Sequence, residues 1–448
     1  MFQTIRNAWK VPELRNKLLF TVFALLFFRV GAAIPVPFID THMLGEYINS
    51  QSASIFGLLN VMSGDAFAQA TVFALSIQPY INSSIIIQLL TIAIPALERL
   101  QKEGGEEGKK KLEAITRYAT VAIALIQAFG YYTFLRVGNG GQSLLTVQGV
   151  WPAIVIITAF VAGSAFLMWL GEQITEFGIG NGISVILFAG IVARGPAMVS
   201  TIINGVQAWI AKADPQTTSV LHPGFVPLVI IGMLALVAFI VFITNAERRI
   251  PVQYAKRMVG RKMYGGQSSH IPIKVNMSGV LPIIFAQSIA AIPATIGMFV
   301  PSAQTEGSGW HTFLEIFYSN GLIYGVVYFL LIILFSYFYN TIQFNPVEVA
   351  NNLKKNGGFI PGFRPGKPTS DFLSKVISRI TMFGAIYLGV IALLPTLVGN
   401  IMSAFGSSAG RSLGIGGTSI IIVVGVALET VKTLEAQLMM RHYMGFLE

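Results

Sequence analysis

The chain has 448 residues, of which 54% are hydrophobic and 11% charged, with a net charge of +10 and a mean hydropathy of +0.67. A soluble domain carries roughly 25% charged residues, so this composition excludes a soluble protein of this size. The sequence contains no cysteine, which excludes both a disulfide framework and a thiolate metal site.

Ten apolar windows follow one another along the chain, each close to the roughly 20 residues that a helix needs to cross a bilayer. They lie at about 18–36, 71–94, 116–137, 152–171, 183–204, 223–244, 278–300, 321–341, 376–398 and 417–438. No small-residue cleavage site follows the first window, so we expect a first span and not a signal peptide. The sequence therefore predicts an all-α membrane protein with ten transmembrane helices.

Basic residues are concentrated at the two termini and in the loops after the second, sixth and eighth windows. The positive-inside bias places these segments, and with them both termini, in the cytoplasm. An even number of spans is required for both termini to lie on one side, and ten satisfies this. The same asymmetry accounts for the positive net charge without a nucleic-acid function.

A short apolar segment at 54–67 precedes the second window on the predicted outer side. Its apolar positions follow helical spacing: Ile55, Phe56, Leu58, Leu59, Val61 and Met62. The segment is too short to span, and a short helix at membrane depth needs protein or a water-filled cavity around its backbone. The alternative is an interfacial helix lying on the outer surface.

Two predicted cytoplasmic loops, at about 245–275 and 342–375, are each around 30 residues long and rich in Gly, Pro and basic residues. Loops of this length are usually functional or disordered. Turn residues punctuate the second loop throughout, so we expect both loops to protrude as handles for a cytoplasmic partner. Gly178–Gly182 is expected to form a tight turn between the fourth and fifth windows.

Acidic residues are absent from the middle of the predicted spans, where an ion-coupled transporter needs a titratable group. Glu172, Glu176, Glu429 and Glu435 lie towards the predicted cytoplasmic ends, and Arg29 is expected to snorkel to the outer interface. The five histidines lie in loops or at helix ends without an HExxH motif. We therefore expect neither an enzyme nor a zinc site, and no cofactor.

Uncharged polar residues do occupy two of the spans. Ser84 and Gln88 lie on the second, and Asn276 and Gln287 on or near the seventh. Such residues form interhelical hydrogen bonds worth about 0.6 kcal/mol each. Alternatively, they form a weakly held seam at which two helices part, and the pattern leaves both interpretations open.

Several stretches of the chain resemble the SecY family, and the resemblance runs from Val11 to the end. They are IQPYINSSIIIQLL (77–90), MWLGEQITEFGIGNGISVI (168–186), NAERRIPVQYAKR (245–257), KVNMSGVLPIIFA (274–286), NPVEVANNLKKNGGFIPGFRPG (345–366) and GGTSIIIVV (416–424). The resemblance implies two pseudo-symmetric five-helix halves, 1–205 and 206–448, around a central hourglass pore. It also implies a channel of the bacterial cytoplasmic membrane that passes unfolded secretory polypeptides and releases apolar segments sideways into lipid.

The resemblance also implies roles for particular residues. The pore ring would comprise Ile77, Ile81, Ile183, Leu187, Ile284 and Ile422, and the 54–67 segment would be the plug that closes the outer funnel. Ser84, Gln88, Asn276 and Gln287 would line the lateral gate. The cytoplasmic contact surface would comprise Arg248, Arg249, Lys256, Arg257, Lys354, Lys355 and Arg364.

The implied partners are the SecE and SecG subunits, the SecA ATPase, the ribosome, the translocating polypeptide and membrane lipids. Two alternatives from other classes remain at this point. One is a secondary transporter with inverted repeats and a broken helix, and the other is a membrane scaffold without a pore.

Overall fold

A computed structural model describes most of the chain. The described residues are 2–50, 60, 63–102, 104–138, 143–211, 223–254, 257–259, 262–264, 268–297, 299, 308–319, 321–404 and 417–444. Within them the chain forms seventeen α-helices and five short β-strands.

Nine helices come from the first part of the chain. They are α1 (Phe2–Lys10), α2 (Pro12–Gly31), α3 (Thr41–Ser50), α4 (Gln78–Ala93), α5 (Pro95–Lys102), α6 (Gly105–Val137), α7 (Val150–Phe177), α8 (Gly182–Ala193) and α9 (Gly195–Ile210). The turn predicted between the fourth and fifth windows joins α7 to α8. At its end the Asn181 side chain accepts hydrogen bonds from the backbone N–H of Ile183 and Ser184, which fixes the start of α8.

The second part adds eight helices and all five strands. They are α10 (Phe225–Asn245), β1 (Glu247–Tyr254), β2 (Arg257–Val259), β3 (Lys262–Tyr264), β4 (Ser268–Lys274), α11 (Leu281–Ala290), α12 (Ile292–Gly297), α13 (Gly309–Ser319), α14 (Gly321–Gln343), α15 (Pro346–Lys355), β5 (Gly358–Phe359), α16 (Lys367–Ala404) and α17 (Gly417–Met444). The expected border at 205 falls inside α9, which continues to Ile210.

Six helical stretches among the described residues are long and apolar enough to cross a membrane, and α4 with α5 makes a seventh if that bent pair is one span. The bend is 105° and falls at Ile94, which is extended (φ −109°, ψ 111°) because it precedes a proline. The count of ten spans stays a prediction.

Three predicted windows are not single regular helices. The second window begins at residue 71, but residues 72–77 form turns and α4 begins at Gln78. The fifth and seventh windows are interrupted at Arg194 and Ala291. Conversely, α6 extends well before its window, so that the predicted loop from residue 105 onwards is helical.

The two long loops fold together into one small unit. Strand β1 pairs antiparallel with β4, from its own loop, and with β5, from the other loop. Beneath this sheet lies a separate apolar core of Ile250, Val252, Ile273, Leu353, Ile360, Leu373 and Ile377. The expected handles therefore form a single packed platform.

The largest apolar core lies where the two parts of the chain meet. Helix α4 contacts α11, and α8 contacts α17. These four helices carry the residues predicted for the pore ring, so the fold brings the candidate site to the border between the halves.

Candidate functional site

The six aliphatic side chains predicted for the ring lie in or against one buried cluster. Ile77, Ile81, Leu187, Ile284 and Ile422 are each at most 3% exposed, and Ile183 is partly buried against them. They come from α4 and its N-cap, α8, α11 and α17. Four helices thus contribute aliphatic side chains to the same apolar cluster.

Two glycines face the contact between α7 and α8 behind the ring, and one of them, Gly182, allows the close approach of the two helices. A Cβ on Gly182 would lie 1.9 Å from the carbonyl oxygen of Gly171, so the two backbones are in direct contact. A Cβ on Gly171 would lie 3.5 Å from both Ile77 Cδ1 and Ile183 Cγ1. Sequence reasoning missed both glycines, although small residues in apolar helices are a signal of close helix packing.

The chain that leads into Ile77 is held against α7. Gly163 leaves room for the backbone there, since a Cβ on it would lie 1.9 Å from the Val72 carbonyl oxygen. The Ser164 hydroxyl donates a hydrogen bond of 3.0 Å to the carbonyl oxygen of Ser76. Ser76 itself has φ +52°, a left-handed conformation that L-residues adopt rarely. The position of Ile77 is therefore fixed by α7 as well as by α4.

The six residues predicted for the plug lie outside the described residues. Asn60 and Ser63 are helical, but the chain leaves the helix at Gly64. The expectation of a helix through Phe67 is therefore wrong at this end. The reason is local, because Gly64 (φ +66°) and Asp65 (φ +72°) are both left-handed.

Three of the four polar residues predicted for the seam lie on two helices that touch, Ser84 and Gln88 on α4 and Gln287 on α11, whereas Asn276 lies in the bend before α11. Gln88 Nε2 donates a hydrogen bond of 3.2 Å to Ser84 Oγ on α4. On the α11 side of the contact Gln287 is buried, and its side-chain oxygen, like that of the buried Asn276 before the helix, accepts no hydrogen bond from the described part of the chain. Because unsatisfied buried acceptors are costly, this contact is weaker than a fully apolar or fully hydrogen-bonded one.

Two arginines make contacts that sequence reasoning did not foresee. Arg117, at the start of the third predicted window, lies on α6, and its Nε donates a 2.8 Å hydrogen bond to Glu172 Oε1 on α7. Arg29, expected to snorkel, has Nη1 3.3 Å from the Gly64 carbonyl oxygen and donates to it. Neither partner is near in sequence, so no local pattern signals these pairs.

The basic residues predicted for partner contact are distributed over the platform. Arg248 and Arg249 are exposed on β1, Lys354 and Lys355 on the last turn of α15, and Arg364 in the following turn. Arg249 Nε also donates to Glu247 Oε1 at 2.7 Å. Lys256 lies outside the described residues, and only the backbone of Arg257 is described. Among the described residues, no group of three or more His, Asp or Glu side chains could hold a metal ion.

Comparisons with known proteins identify the family of the chain. The SecY family profile matches residues 71–431. The protein translocase subunit SecY of Streptomyces galbus is 45% identical, and that of Streptomyces coelicolor 44%, each over 100% of both chains.

Solved structures share the fold at low sequence identity. A protein conducting channel matches with a TM-score of 0.62 at 18% identity, covering 96% of both chains. A SecY structure, described as one whose plug domain stabilises the closed state and maintains a membrane seal, matches with a TM-score of 0.61 at 18% identity and the same coverage. Sec61 in the canine ribosome-channel complex from the endoplasmic reticulum matches with a TM-score of 0.59 at 16% identity, again covering 96% of both chains.

Proposed function

This chain belongs to the SecY family of protein-conducting channels, and from that premise we propose that the buried aliphatic cluster is the constriction of its pore. One observation carries the proposal: six aliphatic residues from four helices, contributed by both parts of the chain, meet in one buried cluster where those parts touch. The full-length relatives favour this function over a secondary transporter or a scaffold without a pore.

The constriction works by excluding water. A narrow aliphatic passage is unfavourable for water and ions, so it stays dry and non-conducting while it is empty. The same side chains form no strong contact with any particular residue and therefore adapt around an unfolded polypeptide. The 54–67 segment acts as the plug, as the related plug-containing structure suggests.

The seam between α4 and α11 acts as the lateral gate. When it opens, a segment in the pore partitions between the channel and lipid. Each Leu, Ile or Phe gains about 0.3–0.6 kcal/mol at the membrane centre, whereas each charged residue loses about 2.5–3.5 kcal/mol. A 20-residue apolar segment therefore leaves sideways, and a polar segment continues across. Sorting follows from partitioning and requires no catalytic residue.

The protein lies in the bacterial cytoplasmic membrane with both termini and the β1–β4–β5 platform in the cytoplasm. Its partners are SecE and SecG in the membrane, and the SecA ATPase or the ribosome at the platform. The exposed basic side chains on β1, on α15 and in the turn after β5 support this role, and one structural neighbour is a ribosome-bound channel.

The constriction is tested by Ile81→Asn and Ile183→Asn. Burying an amide without a partner costs about 1–3 kcal/mol, and 1.4 kcal/mol corresponds to about tenfold in a population. We expect the resting ion conductance in planar bilayers to rise by about tenfold or more. Ile86→Asn, on the exposed face of α4, is the matched control and should leave the conductance low. Unchanged conductance in both ring variants would contradict the assignment.

Partner contact at the platform is tested by Arg364→Glu. Arg364 is exposed, and its carbonyl oxygen accepts a hydrogen bond from Thr369 Oγ1 at 2.8 Å. Reversing the charge should abolish SecA-driven export into vesicles while the protein remains folded and inserted. Lys375→Glu, exposed on α16, controls for charge reversal alone. Normal export by the Arg364 variant would refute the role of this residue.

A further inference from the structure

A tightly hydrogen-bonded turn lies between residue 60 and the start of the chain that leads to Ile77. Asn60, which is 2% exposed, donates from Nδ2 to Asp65 Oδ1 at 2.9 Å and accepts at Oδ1 from the Ala68 N–H at 2.8 Å. Ser63 Oγ accepts from the Phe67 N–H at 3.0 Å. These contacts tie the residues of the turn to one another around Asp65, which is in the left-handed conformation.

This turn is attached to the end of α8. The backbones touch, because a Cβ on Gly64 would lie 2.8 Å from the Gly190 carbonyl oxygen. Asp65 Oδ1 lies 3.1 Å from Nε of Arg194, the C-cap residue of α8. The contact is an ion pair and not a directed hydrogen bond. The two side chains are only 20% and 30% exposed, so solvent screens their attraction less than on an open surface.

Two further contacts attach the turn to neighbouring helices. Arg29 at the end of α2 donates to the Gly64 carbonyl oxygen. The Tyr131 hydroxyl of α6 donates to the Phe67 carbonyl oxygen at 2.6 Å, and the Tyr131 ring stacks on Phe67 at 4.5 Å. All the residues that anchor the turn precede residue 205. The turn is therefore attached to the first half of the chain.

We propose that Asp65 and Arg194 are positioning residues that set how tightly the constriction closes. The turn leads into Ile77, while α8 carries Leu187 about 10 Å and Ile183 about 16 Å from Arg194 along its axis, at 1.5 Å per residue. The ion pair thus joins two of the elements that supply the ring. The inference rests on the proposed constriction, and it adds that closure depends on an electrostatic contact outside the aliphatic cluster.

The test is a double-mutant cycle read out as resting ion conductance in planar bilayers. Asp65→Asn retains a side chain that tolerates the left-handed conformation and can still accept from Asn60; Arg194→Gln removes the other charge. Each single variant should raise the conductance by about two- to fivefold, as expected for a partly exposed ion pair. The double variant should conduct no more than the worse single variant, and Arg194→Lys should restore most of the seal.

Three comparisons make the outcome decisive. Glu46→Gln removes an acidic charge from an exposed pair with His42 (side chains 74% and 84% exposed) and should leave the conductance unchanged. If Ile81→Asn leaks but neither Asp65→Asn nor Arg194→Gln does, the positioning role is wrong and the constriction stands. If Ile81→Asn does not leak either, both proposals fail. Strictly additive effects in the double variant would also overturn the inference.

Discussion

Gly182, which carries no side chain, allows α7 and α8 to approach closely. Gly182 has no space for a Cβ, since the Gly171 carbonyl oxygen would lie 1.9 Å away, whereas a Cβ on Gly171 would make ordinary contacts at 3.5 Å. The two glycines face the same helix contact, yet only one of them is sterically required. Alanine substitutions at these two positions therefore form a matched test and control within one helix contact.

Gly182→Ala should destabilise the protein, and Gly171→Ala should not. Forcing α7 and α8 apart is overpacking, which costs about 1–3 kcal/mol, whereas alanine at position 171 fits and favours the helix by up to about 1 kcal/mol. Thermal unfolding in detergent should show a lower midpoint for Gly182→Ala and an unchanged or higher one for Gly171→Ala. Because α8 carries Ile183 and Leu187, the first variant should also leak ions. Equal midpoints would contradict the backbone contact.

At the scale of elements, the sequence predicts what depends on local pattern. Apolar length located the helices, and the family motifs pointed to six ring residues that the fold brings into or against one cluster. Apolar length did not predict the turn after Ser63, where left-handed residues end the helix. It did not predict the break at Ile94 either, where a following proline interrupts the apolar window. The pairing of β1 with β5, and of Arg117 with Glu172, joins residues far apart in sequence. No single-sequence pattern encodes such contacts.

The platform formed by the two long loops should be separable from the pore. Leu373 of α16 is fully buried in the core beneath β1, and replacing a buried leucine by alanine costs about 2–5 kcal/mol. In Leu373→Ala, limited proteolysis of these loops should be at least about tenfold faster, because the platform opens locally more often. SecA-driven export should fall, while the resting conductance stays low.

The neighbouring exposed residue provides the control for that experiment. Ser374→Ala alters the next position on α16, which is exposed to solvent, and should leave both proteolysis and export unchanged. If Leu373→Ala raised the resting conductance, the platform and the pore would be one cooperative unit, contrary to the separate apolar cores.

At the scale of the whole molecule, the two parts of the chain touch through the α4–α11 and α8–α17 contacts. On α11, at the first of these, the buried side-chain oxygen of Gln287 lacks a hydrogen-bond donor from the described residues, which weakens this contact. Opening should therefore begin at α4–α11, with α8–α17 acting as the hinge side. Helix α8 also carries Arg194, so the electrostatic contact with Asp65 stays on the side that moves least.

Joining α4 to α11 covalently should stop the channel without disturbing its fold. The chain has no cysteine, so Ser84→Cys with Gln287→Cys gives one defined pair, which we would join with a bismaleimide containing a reducible disulfide. Cross-linked protein should neither release a 20-residue apolar segment into lipid nor export a polar precursor, and reduction of the linker should restore both. The pair Ser84→Cys and Gln88→Cys, within α4, should remain active once it is cross-linked. A closed α4–α11 contact gives a segment in the pore no path to lipid between these two helices. Normal lateral release by protein cross-linked between 84 and 287 would therefore show that segments leave by another route.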